Sequence, residues 1–173
     1  MSEETQNVMK KIKLEKVVLN MGVGKSGDAI DIARKALDQI SGKKSNPRNA
    51  RKPQRDWGVR KNEPIGVAVT IRNQDAKDLL KKLFEAKGNI VNGKSIDREG
   101  NLSFGILEHI DIPGIKYDPK IGILGLDVSV RLTRPGFNIR MRSKHKTSVG
   151  LAHKITPIEA KTYLTKEFGV VVS

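Results

Sequence analysis

Val17-Val18-Leu19-Asn20-Met21-Gly22-Val23-Gly24-Lys25-Ser26-Gly27 is an apolar run that ends in three glycines, with helical spacing directly after it. Gly22, Gly24 and Gly27 spell G-x-G-x-x-G, and Gly24-Lys25-Ser26 has the tail of a phosphate-binding loop. Two nucleotide-binding readings therefore start here. Neither survives the residues around it. A dinucleotide unit needs a second parallel strand after the helix, ending about 20 residues on in an acid for the ribose. This chain instead continues with Ser41 to Pro53, which is cationic and without period. The phosphate loop needs a leading glycine where this chain has Leu19. The glycines then permit positive φ in a tight turn from strand to helix. Exposed amides at the helix start can also hold a backbone phosphate, so that role for Gly24 and Lys25 stays open.

Outward from this turn the chain alternates strand and helix. Ile12 to Met21 has strand spacing whose two faces both turn apolar from Val17, which points to burial there. Ile30, Ala33, Leu37 and Ile40 make one helical stripe, with Gly42 as its stop. Ile65, Val67, Val69 and Ile71 alternate with Gly66, Ala68, Thr70 and Arg72, a strand that sets Thr70 and Arg72 opposite its aliphatic face. Asn73 suits the N-cap of a helix carrying Ala76, Leu79, Leu80, Leu83 and Phe84 and closing near Gly88. Residues 89 to 104 are turn-rich, and 104 to 112 read as a further strand. Leu124, Leu126, Val128, Val130 and Leu132 alternate with Asp127, Ser129 and Arg131, a strand again. Thr156-Pro157-Ile158-Glu159 is a capping box with proline in the first turn. Its helix has Ile158, Leu164 and Phe168 on the apolar side, and Val170 to Val172 can close as an edge strand. The expectation is a tail over residues 1–11 and a single α+β domain over 12–173.

Charge narrows the function. The chain has 33 Lys and Arg against 19 Asp and Glu, a net charge of +14, in 173 residues. Such an excess repels itself in a folded body and points to a polyanionic partner. Two segments concentrate it. Lys43 to Pro64 carries Lys43, Lys44, Arg48, Arg51, Lys52, Arg55, Arg60 and Lys61 against only Asp56 and Glu63. Pro47, Pro53 and Pro64 exclude one helix or a central strand there. The segment reads as a long loop, either functional or simply solvated. Trp57, the one tryptophan, can stack on a base or anchor the loop on the body. From Arg131 to Lys154 the cations Arg131, Arg134, Arg140, Arg142, Lys144, Lys146 and Lys154 meet no acid in sequence, which suggests a projecting basic ribbon.

Enzymatic chemistry finds no foothold. There is no cysteine, hence no disulfide and no thiolate metal site. His109, His145 and His153 lack helical pairing, and no G-x-S-x-G or H-E-x-x-H occurs. No catalytic residue, metal or cofactor is assigned. No apolar run approaches a membrane span, and the acidic, polar start is not a signal peptide, so a cytoplasmic location is expected. Long arginine- and lysine-rich loops suit irregular RNA better than a groove-reading helix, although charge alone does not separate RNA from DNA.

Several stretches then resemble one family. Val18-Leu19-Asn20-Met21-Gly22-Val23-Gly24 is similar to the opening motif of large-subunit ribosomal protein five. Gly66-Val67-Ala68-Val69-Thr70-Ile71-Arg72, after Glu63-Pro64-Ile65, resembles its next strand. Phe104-Gly105-Ile106-Leu107-Glu108-His109-Ile110-Asp111-Ile112-Pro113-Gly114-Ile115-Lys116-Tyr117-Asp118-Pro119 and Arg134-Pro135-Gly136-Phe137 resemble the archaeal and eukaryotic branch. The resemblance implies an antiparallel sheet with helices on one face and RNA on the concave other. It also implies binding of 5S ribosomal RNA, its attachment to the central protuberance, and contacts with large-subunit RNA and the P-site transfer RNA. Neighbouring proteins of the protuberance and a small-subunit head protein are implied as further partners. On this reading Asn20, Lys43, Arg48, Arg51, Lys52, Thr70 and Arg72 meet 5S RNA, and Trp57, Arg60 and Lys61 form the transfer-RNA loop. Arg134, Arg140, Arg142, Lys144 and Lys146 supply further ribosomal RNA contacts. Lys43 stands where the family often has glutamine, which leaves a phosphate contact in place of a hydrogen bond. The rival functions are a free RNA-binding regulator or chaperone and, through Gly22, Gly24 and Gly27, a nucleotide-dependent enzyme.

Overall fold

The computed structural model describes residues 7–24, 26–115 and 117–172. Its centre is an antiparallel five-stranded sheet. Strands β1 (Lys13–Gly22), β2 (Asn46–Asn49), β3 (Pro64–Arg72), β5 (Leu102–Ile106) and β6 (Leu126–Thr133) lie in the order β2-β3-β1-β6-β5. The first strand is central because both its neighbours can bury against it: Val17, Leu19 and Met21 are each almost fully buried. Helix α1 (Asp28–Ser41) follows the glycine turn. Both neighbours of β1, β3 and β6, run antiparallel to it. The parallel partner that a dinucleotide unit requires is not beside it.

Pleating divides the sheet into two chemistries. One face carries Val17, Leu19, Met21, Val67, Val69, Ile71, Leu102, Phe104, Ile106, Val128, Val130 and Leu132, all buried in one core. Helix α1 and helix α2 (Asn73–Ala86) cover that face with Ile30, Ala33, Leu37 and Ile40 and with Ala76, Leu79, Leu80, Leu83 and Phe84. Each large aliphatic side chain so buried stabilises by about 1.5–3 kcal/mol. Phe84 stacks on Phe104 with centroids 5.4 Å apart and meets Phe168 of α4 (Pro157–Phe168) edge-on at 5.6 Å, which ties the last helix to the same layer.

Several boundaries differ from the sequence expectation, each for a local reason. The segment read as a structureless loop holds β2, an edge strand whose four residues are all exposed. It has no apolar alternation to betray it, and its edge position accommodates Pro47. Asn73 is not the N-cap: it takes φ 63° as the first helical residue, and no side chain caps α2. The strand expected over 104–112 starts and stops earlier, at Leu102 and Ile106. A 3-10 turn (His109–Asp111) comes next, where His109, 1% exposed, accepts a 3.3 Å hydrogen bond on Nδ1 from the Leu124 amide. The capping box of α4 is present, with Thr156 Oγ1 accepting from the Glu159 amide and the Glu159 carboxylate accepting from the Thr156 amide. Ile158 is nevertheless 76% exposed, and Ala160 with Leu164 takes the buried side. Val171–Val172 (β7) does not extend the main sheet; it pairs in parallel with β4 (Ile90–Val91). Of the expected tail, residues 1–6 lie outside the described residues. Val8–Lys10 form an exposed 3-10 turn capped by Asn7.

Candidate nucleic-acid interface

Among the described residues, no helix lies on the second face of the sheet. Strand pairing sets its residues in lines. Asn46, Ala68, Asn20, Asp127 and Gly105 form one line across all five strands. Thr70, Val18, Ser129 and Ser103 form the next, and the two serine hydroxyls lie 3.3 Å apart. One end of the face is closed by Arg48, opposite Gly66 and Gly22. At the other end Arg72, Lys16 and Arg131 align. A β-bulge between Leu14 and Lys16 brings Glu15 between Arg131, at 3.0 Å, and Arg72, at 3.7 Å. Between these ends lies an open depression of about 630 Å³, lined among others by Val18, Asn20, Arg48, Ser103, Asp127 and Ser129.

This surface sorts its chemistry by position. The centre offers hydroxyl, amide and carboxylate groups, which can bond base edges and ribose hydroxyls. The ends offer guanidinium groups, which bond phosphate. Asn20 and Thr70, both expected on such a face, come onto neighbouring lines through pairing. Sequence reasoning missed Asp127, Ser129, Ser103 and Asn46. The alternation of Asp127 and Ser129 on β6 was visible, but only the pairing of β6 with β1 sets them beside Asn20 and Val18.

The basic segment from Lys43 to Pro64 is a finger. After β2, Ala50 exchanges backbone bonds with Asn62 and Glu63, from Asn62 N to Ala50 O at 2.9 Å and from Ala50 N to Glu63 O at 2.8 Å. Beyond that, Gln54 and Val59 pair across a 3-10 turn, Arg55–Trp57. Gly58 supplies the positive φ of 67° that the tip requires. Trp57 stands on this turn 78% exposed, so its ring is not spent as an anchor. Arg51, Lys52, Arg60 and Lys61 are exposed around it. Lys43 at the segment's start is held by Asp75 at 2.7 Å, and the hydrogen bond from this ammonium keeps the Asp75 carboxyl below its ordinary range. Lys25, a candidate phosphate contact by sequence, lies outside the described residues.

The late basic segment is less a ribbon than a bracket. Helix α3 (Asn138–Met141) presents Arg140, whose Nη1 donates to both oxygens of Glu99 at 2.8 Å. That bond, ahead of the nearby charges of Arg140 and Lys154, lowers the Glu99 pKa. Arg142 bonds the His145 carbonyl at 2.8 Å, while Lys144 and Lys146 are exposed. Arg134 departs from its expected role as a surface RNA contact. It is 6% exposed, donates to the carbonyls of His153 and Lys154 at 3.3 Å, and pairs with Glu159 at 2.7 Å. The segment meets no acid in sequence, but the fold brings Glu99 and Glu159 to it.

Among the described residues no three potential ligands cluster as a metal site, and no helix is long and apolar enough to cross a membrane. A family model described as "Ribosomal protein L5" matches residues 7–60, and a model of the C-terminus of the same ribosomal family matches residues 64–171. The large ribosomal subunit protein uL5 of Nitrosopumilus maritimus is 71% identical over all 173 residues, covering the whole of both chains. That of Cenarchaeum symbiosum is 64% identical over 95% of this chain and 97% of its own. The uL5 of Pyrobaculum aerophilum, at 43%, spans 95% of this chain and 92% of its own. The chain belongs to the archaeal-type uL5 family of large ribosomal subunit proteins, and its work is structural rather than enzymatic.

Proposed function

We propose that the protein binds 5S ribosomal RNA on the open face of its five-stranded sheet, while the finger reaches the P-site transfer RNA. The observation that carries this reading is the five-strand line Asn46, Ala68, Asn20, Asp127, Gly105, on a face that no helix among the described residues covers, while the other face is filled by helices. A polar sheet face with an open depression suits a partner that presents many hydrogen-bonding edges. Asp127 at the centre argues against simple duplex backbone, which its charge repels. A carboxylate there fits a base amine or a ribose 2′-hydroxyl, groups that unpaired or bulged RNA presents. Arg48, Arg51, Lys52 and Arg72 then take phosphates around it.

Adhesion is the mechanism. Polar groups of the sheet fix one RNA in register, and cations of the finger and of the bracket hold others to it. In this reading Arg140, Arg142, Lys144 and Lys146 serve large-subunit RNA, which helps fasten 5S RNA to the central protuberance. The test separates the two surfaces. Arg60→Ala with Lys61→Ala should spare 5S RNA binding in a gel shift and weaken transfer RNA on reconstituted subunits. Asn20→Ala should do the reverse. Equal losses of both ligands in both variants would contradict the assignment.

A further inference from the structure

We propose that Glu63 is the positioning residue of the finger, clasping its base to the first strand-to-helix turn so that the finger is formed before any RNA arrives. This rests on the reading that the finger meets transfer RNA. Glu63 is an anomaly on charge alone. With Asp56 it is one of only two acids among eight cations between Lys43 and Pro64, where a carboxylate weakens attraction for any polyanion. Its geometry explains its presence. One carboxylate oxygen accepts from the Arg60 amide at 2.7 Å, and the other accepts from the Ser26 hydroxyl, 37 residues away in sequence.

The rest of the finger is bonded chiefly to itself. Gln54 and Val59 exchange backbone bonds with each other, and the Trp57 and Gly58 amides bond carbonyls of Gln54 and Arg55. The ladder through Ala50, Asn62 and Glu63 joins its root to the sheet, but a two-stranded ladder is marginally stable by itself. Asn62, with φ 66°, sits at that root. Ser26 supplies a sideways tie. It belongs to the turn after β1, and that turn is fixed to β3 because the Val23 and Gly24 amides both donate to the Ile65 carbonyl, at 3.0 and 2.9 Å. A cleft of about 240 Å³ lies between the turn and the finger, lined by Gly24, Ser26, Trp57, Gly58, Val59 and Glu63 among others. The clasp thus spans the place where the finger leans on the body. The same turn ends the strand that carries Asn20, so the sheet face and the finger share one joint.

Free full-length protein suffices for the first test, amide hydrogen exchange read residue by residue. Glu63→Ala should speed exchange at Arg60 and Asn62 roughly tenfold, the equivalent of one lost hydrogen bond, and leave α2 unchanged. Glu63→Gln should stay near the parent, since its oxygen can accept from Arg60 and its amide can donate to Ser26 Oγ. Ser26→Ala, which removes one partner only, should fall between. Unchanged exchange in Glu63→Ala, or equal acceleration across α2, would overturn the clasp. On reconstituted subunits Glu63→Ala should weaken P-site transfer RNA, with rescue by Glu63→Gln. A loss in the Arg60→Ala, Lys61→Ala double variant without one in Glu63→Ala would overturn the positioning role. No loss in either, with faster exchange in Glu63→Ala, would remove the transfer-RNA reading and leave the clasp standing.

Discussion

Replacing Arg134 by methionine separates a structural cation from an RNA-binding one. The side chain donates two 3.3 Å bonds to the carbonyls of His153 and Lys154 and one of 2.7 Å to Glu159. Methionine fills much of the same volume but leaves those acceptors without their donor. A buried carbonyl left unsatisfied costs about 1–3 kcal/mol. Two effects lower the total. The Glu159 side chain is 43% exposed and rehydrates, so its share is that of a surface pair, about 0–1 kcal/mol. The guanidinium itself is costly to bury, since its Nε finds no partner, and that cost disappears with it. A net loss of about 2 kcal/mol remains, which for a chain of this size lowers the melting temperature by about 4–8 °C. The capping box is untouched, so α4 keeps its first turn. Urea and thermal unfolding should show the loss, while the dependence of RNA affinity on salt keeps its slope. Parent-like stability with a slope shallower by about 0.7–0.9, the signature of one lost phosphate contact, would refute the buried role.

Three further outcomes are expected. Thr70→Ala should weaken 5S RNA binding while keeping the salt slope, whereas Arg51→Ala should flatten the slope; identical slopes in binding titrations would count against separate polar and phosphate roles. Gly66→Ala should destabilise by about 1–3 kcal/mol in urea, because its Cβ would stand 2.9 Å from the Met21 carbonyl oxygen on the neighbouring strand. Acid should weaken the fold in a defined direction. Glu63, Asp75, Glu99 and Glu159 are all held below the ordinary carboxylate range by hydrogen bonds and neighbouring cations, so their contribution is complete above the unfolded values, about 3.9–4.3. It is lost as pH falls through their folded values, and the urea midpoint should decline over that acid range.

The sequence is legible where burial imposes a period. Val17 to Met21, Val67 to Ile71 and Leu126 to Leu132 alternate because one face of each is core, and α1 and α2 show their stripe for the same reason. The strand β2 has no buried residue and is paired with β3 through the backbone, so nothing in its side chains announces it. The opposite error occurs at Ile158, an apolar residue at a helix start that the fold leaves outside. Half of the candidate interface was likewise readable. Thr70 and Arg72 follow from parity within one strand, but Asp127 and Ser129 need the knowledge that β6 lies beside β1. Register between distant strands is a property of the whole sheet.

Charge was the least legible quantity, and the fold redistributes it in an informative way. Counted in sequence, the segments from Lys43 to Pro64 and from Arg131 to Lys154 look alike. In the folded chain they part. Acids from elsewhere reach Arg131, Arg134, Arg140 and Lys154, so much of the second segment is braced against the body. In the finger, Arg51, Lys52, Arg60 and Lys61 are exposed and take part in none of the ion pairs among the described residues. Of the finger's two acids, Glu63 bonds a backbone amide and a serine hydroxyl rather than the side chain of a cation. Cations already paired give up a partner to meet a phosphate, and unpaired ones do not. Salt-dependent attraction should therefore concentrate on the finger, on Arg48 at the sheet's end and on Arg142, Lys144 and Lys146 of the bracket, rather than on the braced Arg134 and Arg140.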